Sequence, residues 1–358
     1  MNANRTNPAW SWIVPLAGLV VMGAALALPG TFTAALAAIA LIGAVIAAVH
    51  HAEVVAHRVG EPFGTLVLAV AVTVIEVALI ISVMLSASEG KEAIARDTVF
   101  AAIMICCNGI VGLCLLMGGM RHHEQGFQVQ GASSALAVLC ALAVLSMVLP
   151  SYALSVPGPG LTSAQLAFAG VISLVLYLTF VFIQTIRHRD YFLAASENGD
   201  GHAGPPSNTV AGTSFGLLLV ALVAVVGLAK ILSPAVESAV QAVGAPAAVV
   251  GIVIATLVLL PEGVAALRNA RSDRLQNSLN LALGSALASI GLTIPTVAAV
   301  SLLMDRPILL GLEPKETVLL ALTLIVGVIT LGTGRTTLLQ GVVHLAIFAA
   351  FLFFAVVP

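Results

Sequence analysis

Gly60-Glu61-Pro62-Phe63-Gly64-Thr65-Leu66-Val67-Leu68-Ala69-Val70-Ala71-Val72-Thr73-Val74-Ile75-Glu76-Val77-Ala78-Leu79-Ile80-Ile81-Ser82-Val83-Met84 is an apolar run of membrane length with one carboxylate, Glu76, near its middle. An acidic residue at a helix centre costs about 3 kcal/mol to insert, so such residues face a bundle interior or a wet cavity. A second run carries Glu262: Val249-Val250-Gly251-Ile252-Val253-Ile254-Ala255-Thr256-Leu257-Val258-Leu259-Leu260-Pro261-Glu262. Glu53, Glu61 and Glu237 sit near helix ends, and only Glu76 and Glu262 lie within apolar runs of membrane length.

The rest of the chain agrees with a membrane setting. Of its 358 residues 60% are hydrophobic and 8% charged, with a mean hydropathy of +1.11. Soluble domains carry about 25% charged residues, so the bilayer is the solvent here. A net charge of −2 argues against a nucleic-acid role, which needs a clustered basic surface. Met1 to Trp12 is polar and short of basic residues, and no removable signal peptide is expected. Cys106, Cys107, Cys114 and Cys140 lie in apolar runs without disulfide or zinc spacing, and packing is the reading.

A bilayer core takes about 20 residues of helix. On that ruler the sequence predicts an all-α polytopic membrane protein of about eleven spans: 13–29, 32–50, 63–87, 97–120, 132–149, 162–186, 210–232, 246–268, 275–303, 316–332 and 336–357. Arg187 to Thr213 reads as a polar linker. Nine arginines, among them Arg58, Arg121, Arg268, Arg271, Arg274 and Arg335, fall on the side of the N-terminus. Lys91, Arg96, Lys230, Arg306 and Lys315 fall opposite. The excess predicts a cytoplasmic N-terminus and a periplasmic C-terminus.

An internal repeat divides the chain. Glu53 to Pro62 has the pattern E-x5-V-G-x-P, and Glu237 to Pro246 has it again. Each is followed by an apolar run that reaches a lone glutamate, Glu76 or Glu262. The expected organisation is a leading segment (1–31), a five-helix half (32–186), a linker (187–209) and a second five-helix half (210–358). Five is odd, so the halves lie in opposite orientations. Such inverted repeats place an ion site near the midplane where the halves meet.

The chemistry expected follows from residue types. Thr73 shares a helix face with Glu76. Pro261 removes a backbone donor and frees the carbonyl of Leu257, and free carbonyls beside a carboxylate suit a dehydrated hard cation. Asn277, Asn280 and Gly284 share one face of the ninth span, and Ser278, Ser285 and Ser289 another; the serines suit ligation and close packing equally. Asn108, alone in Ile105-Cys106-Cys107-Asn108-Gly109-Ile110, bonds either an ion or a helix. His50, His51 and His57 around Glu53, and His122 and His123 before Glu124, lack the H-E-x-x-H spacing of a zinc protease. His344 reads as a satisfied packing residue. No G-x-x-x-x-G-K-[ST] motif is present for a nucleotide-driven pump.

The residues quoted resemble the cation/proton exchangers of the calcium/cation antiporter superfamily, most closely the bacterial Cha-type calcium (sodium, potassium)/proton antiporters. Ala52-Glu53 through Arg58-Val59-Gly60-Glu61-Pro62 to Val74-Ile75-Glu76 is similar to the first family repeat. Pro261-Glu262 falls on the second core, Asn108 on an S-N pair and Gly284-Ser285 on a G-S pair. The family's G-N pairs are Val72-Thr73 and Val258-Leu259 here, and a later amide is Ala288, which implies a looser site.

The resemblance implies a secondary transporter and no enzyme, with no cofactor and with Ca2+, Na+, K+ and H+ as transported ions. It implies metal held at Glu76 and Glu262. Thr73, Asn108, Asn280 and Ser285 are the further cation- or proton-binding candidates, and Glu53, Glu61 and Glu237 the gating or proton-path candidates. The expected setting is a bacterial inner membrane, with lipid and the transported ions as partners, whether the chain stands as monomer or homo-oligomer. A cation channel using the same carboxylates is the alternative.

Overall fold

The structure is a computed structural model that describes residues 7–60, 70, 71, 73–81, 92–156, 158–193, 206–242, 244, 246, 248–305 and 307–357. The chain is helical almost throughout. Its elements are α1 (Ala9–Ala27), α2 (Thr31–Val59), α3 (73–81), α4 (Ile94–His122), β1 (Glu124–Gly126), α5 (Val129–Tyr152), α6 (Ser163–Arg187), α7 (Asn208–Ala242), α8 (Ala248–Arg271), α9 (Leu275–Met304), α10 (Pro314–Leu331), β2 (Arg335–Thr337) and α11 (Leu338–Val356). Among the described residues nine helices are long and apolar enough to cross a membrane, and α8, bent by 52° at residue 261, makes a tenth. Most of the expected 63–87 span lies outside the described residues.

Local sequence explains the helix ends. Glu313 with Glu316, and Thr337 with Gln340, form capping boxes that open α10 and α11. Thr162 and Gln165 do the same for α6. The repeated V-G-x-P motif closes α2 and α7. Gly60 and Gly244 both adopt positive φ, +79° and +68°, which a side chain disfavours. Two helices outrun the hydropathy ruler. α2 continues through His50, His51, Glu53 and Arg58 to Val59, and α7 continues past Pro234 to Ala242. Their polar last turns keep the backbone ladder.

Contacts divide the chain into two compact units, each drawn from both halves of the sequence: Met1–Ala87 with Glu197–Ala245, and Ser88–Ser196 with Pro246–Pro358. In the first, α1, α2 and α7 pack on one another through small residues. A Cβ on Gly18 would lie 3.2 Å from Ala224 Cβ and 3.7 Å from Ala44 Cβ.

In the second unit α4 is the central helix and packs on α8, α9 and α11. Its seam with α11 is built from glycines. A Cβ on Gly119 would meet Leu338 N at 2.6 Å, and one on Gly341 would meet Leu116 N at 2.5 Å. α9 packs on α6 in the same way, with Gly291 against Tyr177. β1 and β2 pair antiparallel, Glu124 opposite Thr337 and Gly126 opposite Arg335. A second antiparallel bridge joins Gly160 to Leu309.

At the start of α4, Arg96 and Asp97 are both buried and paired at 2.8 Å, and Arg96 also donates to the carbonyl of Gly311 at 3.0 Å. Removing one partner of a buried pair costs about 3–5 kcal/mol. Asp97→Ala is therefore expected to lower the thermal midpoint by about 6–10 °C, at roughly 2 °C per kcal/mol for a chain of this size. Scanning calorimetry in detergent checks this, and Arg96→Met combined with Asp97→Leu should restore part of the loss.

Candidate functional site

Glu262 follows directly on the bend of α8. It is 3% exposed, and its Oε1 accepts a hydrogen bond from Ser285 Oγ on α9 at 3.1 Å. The structure thus brings together two residues 23 apart that the sequence proposed separately. Ser278 serves packing: its hydroxyl donates to the Ala266 carbonyl of α8 at 2.7 Å. The last carbonyls of α8 are taken up by the β1 region, with Gln125 Nε2 donating to Ala270 O at 2.9 Å and His122 Nε2 against Arg271 O at 3.0 Å. This end of α8 is therefore fixed, while the bend at residue 261 aims the carboxylate.

The two asparagines among the candidates bond protein on both sides. Asn108 lies in a π-helical turn of α4, Ile105–Ile110, and is fully buried. Its Nδ2 donates to Thr323 Oγ1 at 2.8 Å, and its Oδ1 faces His344 Nδ1 at 3.1 Å. Of the two partners left open for it, ion or helix, the structure supplies helices. Asn280 Nδ2 donates to the Phe192 carbonyl, and its Oδ1 accepts from Gln276 Nε2 at 2.9 Å.

His344 is the residue whose importance the sequence hid. It is 2% exposed and bonded at both ring nitrogens, with Nε2 3.2 Å from Thr330 Oγ1. It links α4, α10 and α11 instead of merely filling space. Asn108 and His344 are 236 residues apart, so no local motif joins them. An ionisable residue inside a predicted span was the one available signal.

In the other unit Glu76 and Thr73 are both buried on α3, at 1% and 3% exposure. Glu53 lies exposed on α2. Glu61 lies outside the described residues, as does the side chain of Glu237, whose backbone belongs to α7. Among the described residues no group of three His, Cys, Asp or Glu is placed to hold a metal. Cys106, Cys107 and Cys114 are buried and none of the four cysteines is in a disulfide, in line with packing.

Comparison with known proteins gives this geometry its family. The profile described as "Sodium/calcium exchanger protein" matches residues 29–186 and 213–357. The chain is 54% identical over 359 residues to a candidate ionic transporter of Sinorhizobium fredii, y4hA, covering 98% of this chain and 97% of that one. It is 33% identical over 350 residues to the sodium-potassium/proton antiporter ChaA of Escherichia coli, covering 96% and 94%. Among solved structures, native YfkE superposes with a TM-score of 0.74 at 16% identity, over 97% of this chain and 100% of that one, a likeness of fold. The chain belongs to the sodium/calcium exchanger family, in the Cha-like branch of the calcium/cation antiporters, and is a multi-pass membrane transporter, not an enzyme.

Proposed function

We propose that the chain exchanges protons for sodium, potassium or calcium across a bacterial inner membrane by alternating access, with Glu76 and Glu262 each binding a proton or a cation in turn. The observation that carries this is Glu262. It is a buried carboxylate placed just after a helix bend, and its Oε1 accepts a hydrogen bond from Ser285 Oγ. A buried carboxylate can neutralise its charge by taking a proton or by taking a cation, and the two exclude each other. With the Asn108 and Asn280 amides bonded to protein, the carboxylates and the hydroxyls of Thr73 and Ser285 remain as the ligands we assign. Calcium takes six to eight oxygen ligands, and Val72-Thr73 and Val258-Leu259 stand where the family has G-N pairs, which favours a looser site that takes sodium or potassium. ChaA is named for sodium and potassium.

The inverted repeat belongs to this proposal. It is supported by Gly60 and Gly244 ending α2 and α7 alike, and by two antiparallel pairings that each join one half of the sequence to the other. Packing has the same pattern, with α4 on α11 and α9 on α6. The N-terminus is assigned to the cytoplasm, as the arginine excess directs.

The test is transport in proteoliposomes. An imposed sodium or potassium gradient should drive protons uphill, reported by a lumenal pH dye. Cation flux that never moves protons against their gradient would make the chain a facilitator and overturn the proposal.

A further inference from the structure

We propose that the second unit holds a binding site for an organic ammonium ion with an apolar body, at the end of its helices opposite the β ribbon and separate from Glu262. Binding there does not depend on the exchange reading above.

The site is a cavity of about 330 Å³. Small-molecule pockets run from about 300 to 1,000 Å³, so it suits a small ligand. The first turns of α4, α8 and α10 and the last turns of α11 enclose it, all within the second unit. β1 follows α4 and β2 precedes α11, so the ribbon lies at the other end of these helices. Glu262 lies ten residues beyond Ile252, the deepest α8 residue of the lining, which is about 15 Å of helix.

The lining has two levels. Asp97 and Glu316 stand in the first turns of α4 and α10, and Phe100 and Leu319 follow each by three residues on the same helix faces. Ile252 and Phe351 complete the apolar level. Phe100 and Phe351 meet edge to face with ring centres 5.5 Å apart. A charged mouth is thus set about one helical turn, roughly 5 Å, above an apolar floor.

The charges at the mouth do not cancel. Arg96 places both its Nε and a terminal nitrogen on one oxygen of Asp97, Oδ1, at 2.8 Å, and gives another bond to the Gly311 carbonyl. Lys315 and Glu313, both exposed, offset each other at 3.5 Å. Glu316 is left over. It is 8% exposed, and its Oε2 accepts from the backbone N–H of Glu313 at 3.0 Å, the closing bond of the capping box. Among the described residues no basic side chain is paired with it. Two cations and three carboxylates leave one negative charge over, and a buried charge without an ion partner gains from a cation that reaches it.

The same lining selects the kind of cation. Among the described residues these carboxylates are not placed to hold a metal. A hard metal ion needs several oxygens around it, and the floor of Phe100, Ile252, Leu319 and Phe351 offers none from its side chains. An ammonium group on an apolar body satisfies both levels. Its head donates to the Glu316 carboxylate, and its body displaces water from the rings. Phe354, 47% exposed beside the mouth, adds an aromatic wall of the kind that attracts organic cations.

The experiment uses the full chain in a neutral detergent at mildly alkaline pH, with para-fluorophenethylammonium as the probe, read by its fluorine resonance. The probe should bind saturably. Glu316→Gln should weaken it about 10-fold or more, the loss of a hydrogen bond to a charged group. Glutamine serves at this position of a capping box, so the start of α10 survives. Phe354→Ala, which trims a half-exposed side chain, should weaken it several-fold. The comparison with para-fluorophenethyl alcohol needs no variant: the same body without the charge should bind about 10-fold more weakly. Affinity unchanged in both variants, or equal for amine and alcohol, overturns the site. Loss of probe binding in Glu262→Gln places the probe at the transport carboxylate and overturns a separate site, while leaving the exchange reading intact. Displacement of the probe by ethanolamine phospholipid added to the detergent assigns the natural ammonium to a lipid head, and retention of the probe assigns it to a free amine.

Discussion

Glu262→Gln is expected to abolish cation/proton exchange, with a loss of at least 100-fold in proteoliposomes, while the protein remains folded. Glutamine keeps the oxygen that accepts from Ser285 Oγ, so the α8–α9 contact at 3.1 Å survives. What disappears is the charge that draws a cation and the group that takes a proton. A loss of 100-fold corresponds to about 2.8 kcal/mol, well within the reach of a buried charge. Ser285→Ala should cost much less. One hydrogen bond to a charged group contributes about 1.5–3 kcal/mol at most, and the serine is one ligand beside a carboxylate that carries the charge, so a loss of roughly 10-fold in cation affinity is expected. The ordering of the two variants is the diagnostic point: if the serine variant proves the worse, the hydroxyl and not the carboxylate is the main ligand. Exchange unchanged in Glu262→Gln would remove Glu262 from the mechanism.

Gly341→Val should be the most damaging change away from the carboxylates. The new Cβ would stand 2.5 Å from the backbone nitrogen of Leu116 and 2.9 Å from the carbonyl oxygen of Gly112. Neither neighbour is a flexible side chain, so the helices must separate. Overpacking usually costs about 1–3 kcal/mol. Here the shift would also stretch the bond between His344 and Asn108 that crosses the same seam. The expected result is little monodisperse protein on gel filtration, with Gly341→Ala intermediate. Gly216→Val is the control, since a Cβ there meets nothing within 4 Å. Equal yields from the Gly341 and Gly216 variants would show that the α4–α11 seam can slide.

Much of the architecture could be read from apolar runs and their punctuation. Ten of the eleven expected spans correspond to helices of the structure, because a bilayer forces each backbone group to bond within its own helix and so leaves few alternatives to a run of this length. The glycines of the repeated motif, Gly60 and Gly244, both adopt positive φ, and α8 bends at residue 261, since backbone restrictions are local. The resemblance singled out Glu262 and Ser285, and geometry brings them into contact. The bonding of Asn108 and Asn280 was not legible. An amide serves an ion and a helix equally well, and the protein partners it finds, Thr323, His344 and Phe192, lie far away in sequence. His344, read as a satisfied packing residue, is buried and bonded at both ring nitrogens, but which partners satisfy it was not legible, because they come from two other helices.

The β ribbon has a consequence for how the protein is made. Strand Glu124–Gly126 leaves the ribosome some 200 residues before its mate Arg335–Thr337. At 5–20 residues per second, that is a wait of about 10–40 s. Over that interval α4, whose surface is later enclosed almost completely, stands in the lipid with its glycine seam uncovered. The seam of Gly119 and Gly341 can therefore close only when the last helix has been made, so the enclosure of α4 is completed late in synthesis.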